Sequence, residues 1–248
     1  ANFTYAHNTI LDNDQPEWEY AYQNRIGQSN WQTFGLVADG LFQSQEEIDA
    51  WPTQKFGEVK PGDIRYIDIN GDGVVDDYDK KPIGFPDVPE ISYGFGASVR
   101  WKGFDVSIFF QGIDNVNFFI NNSYTQPFIA NKTRHSNVFA DLYGNYWTED
   151  NRDAKYPRLT IGSNTNNNQA STFWMVDGRY IRLKNAEIGY TLPKRITNRA
   201  HIDRLRIYVS GVNLLTFSPF KLWDPDLQTG AAGYPNNRVY NIGATLVF

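Results

Sequence analysis

The chain has 248 residues, a formal net charge of −5 and no cysteine. The acidic balance argues against a nucleic-acid-binding protein, because neutralising phosphates requires a basic surface. The lack of cysteine excludes disulfide frameworks, thiol catalysis and cysteine-ligated zinc. The sequence also excludes a transmembrane helix, since no apolar run reaches about 18 residues. Spanning β-strands escape that search because their apolar residues alternate with polar ones.

Alternation of apolar and polar residues, the signature of a strand with one apolar face, recurs along the chain. In the clearest case every odd-numbered residue from Ile91 to Trp101 is apolar, and a tight Lys102-Gly103 turn follows. Even-numbered residues then continue the apolar face from 104 to 110, which predicts a β-hairpin. Six strands are predicted in all, near residues 2–9, 91–101, 103–113, 180–192, 203–215 and 238–248.

Two local features stand out within and between these strands. The strand at 180–192 changes phase half-way, which predicts a β-bulge near Lys184 and Asn185. In the first long connection, Ser44 as N-cap, Glu47 three residues later and Pro52 as the stop predict a short helix.

The connections alternate between long and short, with long ones at 10–90, 114–179 and 216–237. Outer-membrane barrels of bacteria show this rhythm, because their periplasmic turns are short and their extracellular loops are long. The predicted fold is therefore all-β, an antiparallel up-and-down transmembrane β-barrel segment with three extracellular loops. Six strands cannot close a barrel, since the smallest use about eight. We therefore expect the remaining strands in an N-terminal part outside this sequence.

Residues 68–79, D-I-N-G-D-G-V-V-D-D-Y-D, match the pattern of an EF-hand calcium loop. Gly73 occupies the sharp-turn position, and the last position holds Asp79 instead of the usual Glu. The predicted metal ligands are Asp68, Asn70, Asp72, Val74 (through its carbonyl), Asp76 and Asp79. The predicted ion is a structural Ca²⁺ that clips a long loop. The alternative interpretation is an acidic turn held by hydrogen bonds from its own backbone.

Other site chemistry is sparse. The three histidines, His7, His135 and His201, are dispersed, and no carboxylate pair stands out, so the sequence predicts no catalytic residues. An enzyme such as a glycoside hydrolase, which needs two carboxylates at a fixed separation, has no support here. Aromatic residues in the long connections suit sugar stacking, a loop core or interfacial anchoring, and the sequence leaves these open. They are Tyr146, Trp147, Trp174, Trp223 and Tyr234.

Four stretches resemble one family, in the family's own order. They are FGLVADGLFQSQEEI (34–48), PGDIRYIDINGDG (61–73), YIRLKNAEIGYTLP (180–193) and RIYVSGVNLLTF (206–217). They resemble the SusC/RagA-type TonB-dependent transporters of Bacteroidetes. The terminal Phe248 is similar to the outer-membrane assembly signal.

The resemblance implies a 22-stranded barrel with an N-terminal plug, of which these would be the last six strands. It also implies a place in the cell outer membrane, surrounded by its lipid. The implied partners are a SusD-like surface lipoprotein and the TonB complex, which would act through the absent N-terminal plug region. The implied cargo is an oligosaccharide or a peptide, and no substrate-binding residue is predicted.

A second class of protein explains the aromatic residues and the acidic loop as well. It is a soluble extracellular calcium-stabilised carbohydrate-binding β-sandwich module. A sandwich buries the apolar strand faces between two sheets, whereas a barrel turns them outward to lipid. The exposure of those faces therefore separates the two hypotheses.

Overall fold

The computed structural model describes residues 1–121, 125–128, 139–230 and 233–248. His135 and parts of the predicted loops 114–179 and 216–237 lie outside the described residues. Six strands pair into one antiparallel sheet, and their order across the sheet is the order in which they follow one another along the chain. They are β1 (Asn2–Tyr5), β8 (Ile91–Trp101), β9 (Phe104–Asp114), β12 (Tyr180–Thr191), β13 (Arg204–Phe217) and β14 (Val239–Val247).

Eight shorter strands lie between these and form four two-stranded sheets. The pairs are β2 (Phe34–Gly35) with β7 (Lys81–Pro82), β3 (Ala38–Leu41) with β5 (Ile64–Tyr66), β4 (Thr53–Gln54) with β6 (Val74–Val75), and β10 (Asn117–Phe119) with β11 (Met175–Asp177). The described residues also form two short α-helices, α1 (Gln45–Ala50) and α2 (Lys194–Thr197), and short 3-10 turns.

The helix predicted after Ser44 is confirmed as α1. The Ser44 side chain accepts a hydrogen bond from the Glu47 N–H, and the Glu47 carboxylate accepts one from the Gln43 N–H at 2.6 Å. The first bond satisfies a donor that a helix start otherwise leaves unpaired, and the second fixes the residue before the cap. Among the described residues, no helix combines the length and the apolar character needed to cross a membrane.

The strand register sorts side chains onto two contrasting faces of the six-stranded sheet. One row across five strands aligns Val99, Val106, Ile188, Val209 and Ile242. Their side chains are 42–83% exposed, so this apolar face is uncovered. The adjacent row lies on the opposite face, because successive residues of a strand point to opposite sides. It aligns Ser98, Ser107, Glu187, Ser210 and Asn241.

The predicted bulge is present in β12. The register shifts between Leu183 and Asn185 against both neighbouring strands. Opposite it, Asn213 in β13 adopts a left-handed backbone conformation with φ of 55°, a conformation that Asn tolerates better than most residues. The bulge returns the apolar residues of both halves of β12 to the same face, which explains the change of phase in the sequence.

The first strand is shorter than the predicted range of 2–9. Its partner β8 begins at Ile91, which pairs with Tyr5. Before β8 lies Pro89, which has no N–H to continue the ladder. Beyond Tyr5, the Ala6 N–H bonds to the Glu90 carbonyl, and the His7 ring meets the Glu90 carboxylate at 2.6 Å.

The three long connections leave the same end of the sheet and are not open loops. Their apolar residues pack into a common cluster, called here the loop core. Its members are Leu36, Leu41, Ile64, Tyr66, Val75, Phe118, Ile120, Leu142, Trp147, Tyr156, Trp174 and Phe220. These residues are separated by turns and short strands and follow no single period, so the sequence pattern does not reveal this core.

The structure shows one of the roles left open by the sequence, a loop core, for four of the five loop aromatics. Trp147 and Trp174 belong to the loop core, and Tyr146 and Trp223 pack against it. Tyr234 is 81% exposed. Four of the five aromatic residues therefore stabilise the packed connections.

Candidate functional site

The predicted calcium loop forms a tight turn between β5 and β7. Gly71 and Gly73 have φ of 78° and 85°, which glycine adopts without strain. Asp68 accepts hydrogen bonds from the backbone N–H groups of both glycines, at 2.6 and 2.8 Å. The Asn70 side-chain oxygen accepts one from the Asp72 N–H, and Asp72 accepts one from the Val74 N–H.

The end of the loop is fixed by Asp79, which is fully buried. Its carboxylate accepts the N–H groups of Ile69 at 2.7 Å and Asp76 at 2.8 Å. Asp76 in turn accepts the Tyr78 N–H, and its other oxygen lies 3.4 Å from the Lys55 ammonium. Within the described ranges, no three acidic, histidine or cysteine side chains converge as a metal centre. The hydrogen bonds of this loop are those expected of the alternative interpretation, an acidic turn held by its own backbone N–H groups. Calcium binding therefore stays a prediction.

The acidic loop also holds a distant segment of the first connection. The Tyr22 hydroxyl donates to the Tyr78 carbonyl at 2.7 Å, and the Gln23 amide donates to the Asp77 carbonyl at 3.3 Å. Burial, and then the nearby Asp79 carboxylate, raise the pKa of Tyr22 to about 12. The neutral phenol is thus the favoured form beside this acidic turn.

A second polar centre, absent from the sequence predictions, joins the first and second long connections. Asp63 is fully buried and accepts hydrogen bonds from the side-chain amides of Asn164 and Asn167, each at 2.8 Å. Arg158 donates to the same carboxylate at 3.0 Å, and the Lys60 N–H donates at 2.8 Å. Buried carboxylates need such pairing to offset their loss of hydration.

The asparagine-rich segment extends this centre into the loop core. Asn166 is fully buried, donates to the Ile64 carbonyl and accepts from Gln54 at 2.7 Å. Its backbone carbonyl accepts the Tyr66 hydroxyl at 2.8 Å. The backbone carbonyl of Asn167 accepts the Trp174 indole N–H at 2.6 Å. Asparagine suits this position because its side-chain amide both donates and accepts hydrogen bonds. One side chain can therefore pair with polar groups of two strands.

The polar face of the six-stranded sheet carries two charge clusters. Arg206 contacts both Asp105 and Glu187. Nearer the long connections, Arg182 is 2% exposed and forms ion pairs with Asp224 and Asp226. The alternation of the sequence places both arginines on the polar face. It does not identify their acidic partners, which lie too far away along the chain.

No protein-family model matches the chain. It is 29% identical over 238 residues to the TonB-dependent receptor P3 of Formosa agariphila, covering 90% of this chain and 23% of that protein. It is 22% identical over 264 residues to the TonB-dependent receptor SusC of Bacteroides thetaiotaomicron, covering 100% of this chain and 24% of that protein. A solved structure of the RagAB peptide importer in the 'open-open' state matches with a TM-score of 0.63 and 21% identity, covering 98% of this chain and 25% of that chain.

In sequence the chain is similar to TonB-dependent receptors, and its antiparallel sheet matches the fold of the RagAB importer. The predicted resemblance to the SusC/RagA-type transporters is confirmed, as is the predicted location in the outer membrane. The relatives are named as receptors or transporters and not as enzymes. The chain spans about a quarter of their length.

Proposed function

We propose that this chain is the C-terminal barrel portion of an outer-membrane TonB-dependent importer of a glycan or peptide nutrient. The observation that carries the proposal is the pairing of an exposed apolar row, which includes Val106 and Ile188, with a polar row one residue away. An antiparallel sheet with one apolar and one polar face suits a barrel wall between lipid and an aqueous lumen.

The edges of the sheet argue for further strands. Among the described residues, β1 pairs only with β8, and β14 pairs only with β13. In a bilayer, unpaired backbone groups cost several kcal/mol each, so both edges require partners. We propose that strands of the remaining N-terminal barrel supply them, giving the 22-stranded wall and plug of the SusC/RagA type.

The packed connections support an assignment to the cell surface. Their loop core and the Asp63 centre form a packed unit at one end of the sheet. We propose that this unit faces outward, where a SusD-like lipoprotein and the oligosaccharide or peptide cargo would meet it. Energy from the TonB complex would enter through the plug.

The soluble sandwich hypothesis is less well supported. A sandwich needs a second sheet over the apolar face, but Val99 and Ile242 are 63% and 83% exposed. Three of the four small sheets, those of β3 with β5, β4 with β6 and β10 with β11, contribute to the loop core instead.

The test of the barrel proposal compares two arginine substitutions at neighbouring positions in the full-length protein. Val106→Arg places a charge on the apolar face, at a cost of about 2–4 kcal/mol near the bilayer midplane. Ser107→Arg places the same charge on the polar face. We expect Val106→Arg to reduce the heat-modifiable folded form in outer membranes and Ser107→Arg to retain it. Equal tolerance of both, in a protein that stays soluble without detergent, would favour the sandwich.

We also propose that residues 68–79 bind a structural Ca²⁺ through Asp68, Asn70, Asp72, the Val74 carbonyl, Asp76 and Asp79. Support comes from the donor set, which consists of the hard oxygen ligands that Ca²⁺ prefers. We expect added Ca²⁺ to raise the unfolding temperature of the chelator-treated protein, and Asp72→Asn to weaken that rise. Asp12→Asn, an exposed substitution outside the loop, is the control. No shift in unfolding temperature and no calorimetric binding would reject the proposal.

A further inference from the structure

A pocket of about 310 Å³ lies where β12 and β13 meet the third long connection. Arg182 and Thr216 line it, and both lie on the polar face, where they pair across the two strands. If the proposed barrel is correct, this pocket opens toward the lumen near the cell surface. The other residues that matter to its chemistry are Asn213, Lys221, Asp224 and Arg238.

The acidic groups near the pocket are already engaged. The buried Arg182 forms ion pairs with Asp224 and, at 2.7 Å, with Asp226, and its Nε donates to the Thr216 hydroxyl at 3.0 Å. The Asn236 amide donates to Asp226 at 2.6 Å. Arg182 and its two carboxylate partners thus carry a net charge of only −1. Their ion pairs hold the third connection against the sheet.

Two cations and one acceptor in the same pocket have no partner. The side chains of Lys221 and Arg238 are exposed, and within the described part of the chain neither forms an ion pair or a side-chain hydrogen bond. The side-chain oxygen of Asn213 is buried without a hydrogen-bond donor among the described residues, although its amide donates to the Asn237 carbonyl. A buried acceptor without a donor costs about 1–3 kcal/mol, so a ligand that supplies a donor gains from it.

We propose that this pocket binds the C-terminal residue of a peptide cargo. The terminal carboxylate would lie between Lys221 and Arg238, and the adjacent amide N–H would donate to the Asn213 oxygen. A sugar presents several hydroxyl donors at once, whereas the buried acceptor of this pocket that lacks a donor among the described residues is the single Asn213 oxygen. The inference rests on the proposed import function and narrows its cargo to peptides.

The experiment uses the full-length protein in detergent and a randomised octapeptide mixture, labelled at the N-terminus and prepared as free acids or as C-terminal amides. We expect the wild type to bind the acids about tenfold more tightly, the effect of one lost charge-assisted contact. Lys221→Met and Arg238→Gln should each weaken acid binding about tenfold and leave amide binding unchanged. Arg199→Gln, in the short connection after β12, is the matched control.

Equal binding of acids and amides overturns the inference. It is also overturned if the substitutions at Lys221 and Arg238 weaken binding of an oligogalacturonate probe and leave binding of the peptide acids unchanged. Uptake by cells separates this failure from failure of the import function. If TonB-dependent uptake of peptides occurs equally for acids and amides, the import function stands and the pocket assignment falls. If neither peptides nor oligogalacturonate enter in a TonB-dependent manner, both proposals fail.

Discussion

The guanidinium of Arg206 lies directly over Gly189 and occupies the space that a side chain at position 189 would need. Register pairs Gly189 with Asp105 on one side, and Arg206 bonds to that same Asp105 and to Glu187 at 2.6 Å. A side chain at position 189 would therefore require the Arg206 guanidinium to shift, while the backbone conformation there does not call for glycine. One arginine connects three neighbouring strands, β9, β12 and β13, on the polar face.

Gly189→Ala is expected to destabilise the protein, because the new methyl group needs space that the Arg206 guanidinium occupies. The new methyl group collides with the Arg206 guanidinium and moves it away from Asp105 and Glu187. Urea unfolding of the full-length protein in detergent measures the change, with Ser210→Ala on the same face as the control. A more stable Gly189→Ala protein would contradict the packing argument, because alanine itself suits a strand no worse than glycine.

Asn167→Asp is expected to open the junction between the first two long connections. The substitution replaces the amide that donates to Asp63 at 2.8 Å, so two carboxylates face each other in a buried site. The cost is about 3–5 kcal/mol, as for a broken buried ion pair. Hydrogen exchange of residues 61–66 and 164–174 should increase. Asn168→Asp, whose side chain is exposed, provides the control, and equal exchange in both variants would contradict the prediction.

The sequence predicted the parts of the fold that depend on local periodicity. The hairpin of β8 and β9 follows from strict alternation around Lys102-Gly103, and the bulge in β12 follows from its change of phase at Lys184. Helix α1 follows from the cap at Ser44 and the stop at Pro52. In each case the physical cause acts over a few residues and is therefore readable from one chain.

The packed connections were not predictable in the same way. Asp63 and Asn167 are separated by more than a hundred residues, and Asn166 bonds to Gln54 over a similar distance. An asparagine-rich segment is typical of an exposed loop, so burial of its two central residues depends on partners that only the folded chain brings together. The same holds for Arg182 and its partners Asp224 and Asp226.

Asp79→Asn separates the structural role of the acidic loop from metal binding. The Asp79 oxygens accept backbone N–H groups from Ile69 and Asp76, and the new amide would face one of these donors. We expect a loss of about 1–3 kcal/mol even in the presence of chelator. The adjacent Asp77→Asn is the control, because the Asp77 side chain is 80% exposed. A loss that disappears under chelation would instead assign Asp79 to the metal alone.

The raised pKa of Tyr22 makes the stability of the folded protein depend on pH in the alkaline range. Its pKa is about 12 in the folded protein, above the ordinary value of 10.0, because burial and the Asp79 carboxylate disfavour the phenolate. The folded state therefore retains a proton that the unfolded chain releases. The resulting stabilisation is complete below pH 10 and is lost as the pH rises through 12.

Tyr22→Phe removes both this dependence and the hydrogen bond to the Tyr78 carbonyl. At pH 8 the variant should be less stable by about 1 kcal/mol, the net value of one hydrogen bond. Between pH 10 and 12 its free energy of unfolding should fall less steeply than that of the wild type, so the difference between them narrows. Tyr143→Phe, at a position 79% exposed, is the control and should follow the wild type. Parallel pH profiles for wild type and Tyr22→Phe would show that the Tyr22 phenol does not couple to the acidic loop.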